Sequence, residues 1–84
     1  MKKVLVYGTA ACPYCQTAKQ LLQSQGIAFE EIRVDIDLEK RSVMEQKSGR
    51  RTVPQIFIGE RHVGGFSDLK VLADANELHD WLKD

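Results

Sequence analysis

Residues Val4-Leu5-Val6-Tyr7 form an unbroken apolar run rich in β-branched side chains, and it stops at Gly8. A strand that is apolar at every position, not at alternate ones, has to be covered on both faces. The usual cover is a layer of helices above and below a sheet. The residues that follow supply such a helix. From about Pro13 to Gln25, Tyr14, Ala18, Leu21, Leu22 and Gln25 recur at helical spacing, and Gly26 stops the pattern. Pro13 suits the first helical position, where its missing N–H has no intrahelical partner to lose.

From Phe29 to Ile36 the pattern alternates. Ile32, Val34 and Ile36 fall on one side and Glu31, Arg33 and Asp35 on the other, as expected of an edge strand with one wet face. Asp37 is placed to cap a second helix over about Leu38 to Ser48, closed by Gly49. Strand, helix, strand and helix imply a right-handed crossover between parallel strands. The second half reads differently. Gln55–Ile58 and Arg61–Val63 flank Gly59-Glu60 as a hairpin. Gly64-Gly65 breaks it, and Ser67 is expected to cap a helix carrying Leu69, Leu72 and Ala73. Asn76 suits a left-handed position before a last short helix with Leu78, Trp81 and Leu82. The expectation is an α/β fold, β-α-β-α-β-β-α, with a four-stranded mixed sheet flanked by helices.

A chain of 84 residues has room for one core, so residues 1–84 are expected to form one domain. Lysine plus arginine number 12 and aspartate plus glutamate number 12, so no net charge draws it to nucleic acid or an anionic membrane. The apolar run after Lys2-Lys3 is shorter than the ~7–15 residues of a secretory core, and no stretch approaches the ~20 of a membrane span. The expected location is the cytoplasm.

The two cysteines, Cys12 and Cys15, are three positions apart. A bridge between them closes a very small loop and restrains the unfolded chain little, so chemistry explains them better than stapling. Cys12 falls at the start of the first helix, where free N–H groups and the positive end of the helix dipole favour a thiolate. Cys15 lies one turn further on the same side. This predicts an exposed, attacking Cys12 and a more buried, resolving Cys15. A Cys-x-x-Cys pair beside a βαβ pattern is a thioredoxin-like redox signature. It is also half of a zinc site, but the remaining ligand types, His62 and His79, lack finger spacing. A buried inert pair is the other alternative.

Two further segments bear on the chemistry. In Thr52-Val53-Pro54 the proline precedes a strand, where a cis or a trans bond is equally compatible with the residues. A cis bond would turn the Val53 backbone groups outward, ready to pair with an extended peptide. In Gly64-Gly65-Phe66-Ser67-Asp68 the glycines permit close backbone approach and the helix start suits a carboxylate, although an ordinary strand-to-helix turn explains it too.

Together, Cys12-Pro13-Tyr14-Cys15, Thr52-Val53-Pro54-Gln55-Ile56-Phe57-Ile58-Gly59 and Gly64-Gly65 with Ser67-Asp68 resemble the dithiol glutaredoxin family, over essentially the whole chain. The resemblance implies a thioredoxin-like fold and a glutathione-dependent thiol–disulfide oxidoreductase. Its expected partners are glutathione, as co-substrate, and glutathionylated or disulfide-containing proteins, with no tightly bound cofactor or metal and a monomeric state. By analogy, Val53 pairs with the cysteinyl backbone of glutathione beside Pro54. The γ-glutamyl carboxylate sits at Gly65, Phe66 and Ser67, with Asp68 near the ammonium. Tyr14 and Thr52 line the groove. Many relatives carry lysine three residues before the first cysteine, where this chain has Thr9, so Arg41 and Arg51 become candidates for the glycine carboxylate. Phe66 stands where the family often has cysteine or tyrosine. Two alternatives accompany the resemblance. One is a glutathione-ligated [2Fe–2S] carrier, which Pro13 disfavours. The other is a thioredoxin-type electron donor.

Overall fold

A computed structural model describes all 84 residues. Eight elements follow one another: β1 Val4–Gly8, α1 Pro13–Ser24, β2 Glu30–Arg33, α2 Leu38–Ser48, β3 Gln55–Ile58, β4 Arg61–Gly64, α3 Phe66–Asp74 and α4 Leu78–Leu82. The sheet order is β2-β1-β3-β4. β1 runs parallel to β2, with Leu5 opposite Glu30, and antiparallel to β3, with Val6 opposite Ile56. β3 and β4 form the expected hairpin.

The two central strands explain the unbroken apolar runs. Val4, Val6, Ile56 and Ile58 face Ala18 and Leu22 of α1, Leu69 and Leu72 of α3, and Leu78 and Leu82 of α4. Tyr7 and Phe57 point the other way, onto Met44 of α2 and onto Val34 in the turn after β2. Each strand therefore supplies alternate side chains to two cores, and Gln55 is the one polar side chain buried along them. No helix is long and apolar enough to cross a membrane.

Three local expectations are corrected. The second strand ends at Arg33, not Ile36. Arg33 Nε and Nη2 donate to the Asp35 carboxylate at 2.8 and 2.7 Å, and the Asp37 N–H donates to the Arg33 carbonyl at 3.1 Å. These bonds fold residues 34–36 into a turn and leave Ile36 on the surface, 72% exposed. The buried side of α1 consists of Cys15, Ala18 and Leu22, and Tyr14 lies outside it, 65% exposed. Ser67 does not cap α3, because the helix begins at Phe66 with Gly65 as its cap residue. The cap is made from inside the helix, where the Asp68 carboxylate accepts the Gly65 N–H at 3.0 Å. Asn76 does take the left-handed conformation, at φ 57°, and separates α3 from α4.

Candidate functional site

α1 starts where it does because of two adjacent residues. Cys12 occupies the cap position with extended backbone, and Pro13 follows as the first helical residue. The Cys15 N–H donates to Cys12 Sγ at 3.1 Å, so sulfur does what a serine or aspartate oxygen does at other helix starts. The two cysteines form a disulfide with their Cα atoms 5.2 Å apart. Gly8, at the end of β1, leaves the space they need: a Cβ there would lie 3.0 Å from Cys15 Sγ.

Cys15 is fully buried, as expected. Cys12 corrects the expectation of an exposed sulfur, because the residue is only 9% exposed in the disulfide. The Val53 carbonyl covers it at 3.7 Å from Sγ. An oxidised sulfur has no proton to donate, so this is a packing contact. In the dithiol, the Cys12 thiol acquires an S–H that can point at the same oxygen.

The Val53–Pro54 peptide bond is cis. Tyr14, Thr52, Val53, Pro54, Gly65, Phe66, Ser67 and Asp68 line one open groove of about 260 Å³, joined by Arg50 and Gln55. Three segments far apart in the chain thus meet beside Cys12. Tyr14 and Phe66 stack with ring centroids 6.0 Å apart and form one wall. The floor at the Gly64-Gly65 turn depends on absent side chains. Gly64 has φ +121°, and a Cβ there would run into the Asp68 carboxylate.

Arg41 and Arg51 are placed outside the lining of this groove. Both turn to Glu45, Arg41 Nε at 3.3 Å and Arg51 Nε at 3.8 Å, and Arg41 Nη2 donates to the Arg51 carbonyl at 3.4 Å. The groove's own cation is Arg50, 3.7 Å from Asp68. Nothing in the run Gly49-Arg50-Arg51 separates the two arginines; only their side-chain directions do. His62, one of the histidines considered for zinc, bonds the Gln55 amide at 2.7 Å. A wider depression of about 420 Å³, between Met1–Val4 and Gly26–Glu30, contains no cysteine.

The loop before Cys12 has one side-chain anchor in the body of the protein. Asp35 Oδ2 accepts the Ala10 N–H at 3.2 Å while the carboxylate holds Arg33. Those bonds, led by the one from Arg33, hold the Asp35 carboxyl well below the ordinary carboxylate range.

The glutaredoxin family model matches residues 4–63, a span that includes the cysteine pair and the cis-proline strand. The chain belongs to the glutaredoxin family. It is 53% identical to a glutaredoxin of Pseudomonas aeruginosa over 78 residues, 93% of each chain. It is 46% identical to glutaredoxin 3 of Escherichia coli over 83 residues, 99% of this chain and all of that one. Among solved structures, a buckwheat glutaredoxin–glutathione complex superposes with a TM-score of 0.86 at 27% identity, covering 96% of this chain and 76% of that one. For a glutaredoxin, the geometry has a direct chemical meaning. The cysteine pair is close enough to cycle between dithiol and disulfide, and a formed helix terminus receives the charge when the bond opens.

Proposed function

We propose that this glutaredoxin reduces glutathione mixed disulfides and protein disulfides at the expense of glutathione. The observation that carries the reading is Cys12, which caps a helix start and touches the carbonyl of Val53, a residue lining the groove that reaches the N-terminus of α3.

The Cys12 thiolate attacks the glutathione sulfur of a glutathionylated protein. A new disulfide forms between Cys12 and glutathione, and the protein leaves as a thiolate that takes up a proton. A second glutathione thiolate then attacks the glutathione sulfur of that mixed disulfide. Oxidised glutathione departs and Cys12 returns to the thiolate. On a protein disulfide, Cys12 attacks one sulfur, and Cys15 then displaces the protein from Cys12 to give the internal disulfide. Two glutathione molecules reopen that bond in turn. The Cys15 N–H directed at Cys12 Sγ supports the leaving and attacking thiolate at each stage.

Within the groove, the Val53 backbone pairs with the cysteinyl unit of glutathione next to Pro54. The γ-glutamyl carboxylate lies against Gly65, Phe66 and Ser67, where α3 offers free N–H groups, and Arg50 adds a cation there. Asp68 receives the γ-glutamyl ammonium. Tyr14 and Thr52 flank the chain, and Arg41 and Arg51 serve the glycine carboxylate on the α2 side by turning toward it from Glu45. The protein works as a cytoplasmic monomer with no resident cofactor.

The test is turnover of a glutathionylated peptide with glutathione as reductant, compared with turnover supported by thioredoxin reductase. Glutathione-driven turnover that is saturable in peptide supports the reading. Turnover with the flavoenzyme alone would overturn it. Arg41→Ala is expected to raise the KM for glutathione, and an unchanged value removes Arg41 from the site.

A further inference from the structure

Gln55 is the only polar side chain in the core, 1% exposed, and the reaction above does not use it. It opens β3, directly after Pro54. Burying an amide is costly unless its donors and acceptor are all engaged, and here they are. Nε2 donates to the Thr52 carbonyl at 3.0 Å and to Thr52 Oγ1 at 3.2 Å, and Oε1 lies 2.7 Å from His62 Nε2.

The direction of each bond follows from the chemistry. A carbonyl oxygen only accepts, so the amide nitrogen must face Thr52 and the amide oxygen must face His62. His62 therefore donates from Nε2–H. The ring itself is held against Phe57, with centroids 4.8 Å apart. Burial and, next, the nearby Arg50 disfavour the charged ring, against a smaller opposing pull from Asp68. The residue that Gln55 grips is the neighbour of Val53, whose carbonyl lies over Cys12 Sγ.

We propose that Gln55 and His62 are positioning residues for substrate: Gln55 clamps Thr52 and so aims the Val53 backbone into the groove, and His62 locks the amide in the one orientation that can clamp. This rests on the reading that the cysteinyl backbone of glutathione pairs with Val53. A buried amide that merely fills the core would affect stability alone. A clamp acts first on how well substrate is held, which KM reports.

Four variants separate these roles. Gln55→Leu has nearly the same shape and no polar atoms. Gln55→Glu keeps an acceptor for His62 but sets a carboxylate against the Thr52 carbonyl. His62→Leu removes the lock, and His62→Gln restores a side-chain N–H. With a glutathionylated peptide as substrate, both Gln55 variants are expected to raise KM about tenfold, the worth of one hydrogen bond, with kcat within about twofold. His62→Leu is expected to raise KM about threefold, and His62→Gln to return it toward the wild-type value. Nitrogen NMR of the substrate-free protein is expected to show the Nε2–H tautomer at His62. The backbone order parameters of Thr52 and Val53 should fall in Gln55→Leu.

A folded Gln55→Leu or Gln55→Glu protein with wild-type KM overturns the proposal, as does an Nδ1–H tautomer at His62. If Gln55→Leu does not fold, Gln55→Glu and the two His62 variants decide the matter alone. Lower Thr52 and Val53 order parameters in Gln55→Leu, in a protein whose wild type does not turn over the glutathionylated peptide, support the clamp and remove the glutathione reading.

Discussion

The backbone N–H of Cys15 lies 3.1 Å from Cys12 Sγ, where the capping oxygen of a helix start is ordinarily found. The proposed nucleophile and the helix cap are the same atom. That coincidence makes the two cysteines unequal, because Cys12 gains a donor on ionising and Cys15, fully buried, does not.

The first prediction follows from this inequality. Cys12→Ser should lower turnover of a glutathionylated peptide on the order of a thousandfold or more, since the covalent route is gone. Cys15→Ser should keep that activity and lose reduction of protein disulfides. Titration of thiolate absorbance in Cys15→Ser should place the Cys12 thiol below the ~8.5 of a free cysteine. Substantial activity in Cys12→Ser would remove Cys12 from the mechanism.

Gly64 tests how tightly the groove is built. Its φ of +121° and the Asp68 carboxylate beside it leave no room for a methyl group. Gly64→Ala should cost about 1–3 kcal/mol of stability, the range for a residue forced into a sparsely populated conformation. Asp68 must also shift, so KM should rise. Denaturant titration and steady-state kinetics measure the two effects separately. An alanine variant with unchanged stability would show that the turn relaxes without cost.

His62 makes stability depend on pH. Burial, and next the nearby Arg50, push its pKa below the ordinary 6.5, while Asp68 opposes the shift. The unfolded chain therefore binds a proton more readily than the folded one as pH falls through that range. The resulting stability is complete above about pH 6.5 and declines on acidification below it. Unfolding free energies measured across this interval should fall toward low pH, and His62→Gln, which does not titrate, should lack that part of the decline.

Asp35 acts on the acid side of the same profile. Its carboxyl is held low, chiefly by Arg33, and that contribution is present at neutral pH. It is lost once pH drops below the normal carboxylate range. The pair is partly exposed, so its effect should shrink in salt. Asp35→Asn should flatten the acid limb and spare the Ala10 hydrogen bond through its amide oxygen. Asp35→Ala should in addition speed exchange of the Ala10 amide. Equal Ala10 exchange in both variants would show that the anchor is dispensable.

By itself, the sequence determined the elements and their layering. Val4–Tyr7 and Gln55–Ile58 are apolar at nearly every position, which only a sheet covered on both faces tolerates, and Pro13, Asp37, Gly49 and Asn76 mark element ends through their own backbone preferences. The cysteine pair was legible too, because its spacing and its place at a helix start are local facts. Tertiary structure decided what depends on side-chain direction across segments. The second strand stops at Arg33 because of a carboxylate two residues away that also reaches Ala10, and alternation of apolar residues carries no trace of that. Asp68, not Ser67, closes the start of α3 because the turn at Gly64 brings its carboxylate back to Gly65. Arg50 faces the groove while Arg51 turns to Glu45, although the two are neighbours in the chain. Cys12, expected to be exposed, is covered by the Val53 carbonyl from 41 residues away. The helix start is local to Cys12, whereas the groove next to it exists only because Thr52–Pro54 and Gly65–Asp68 fold together.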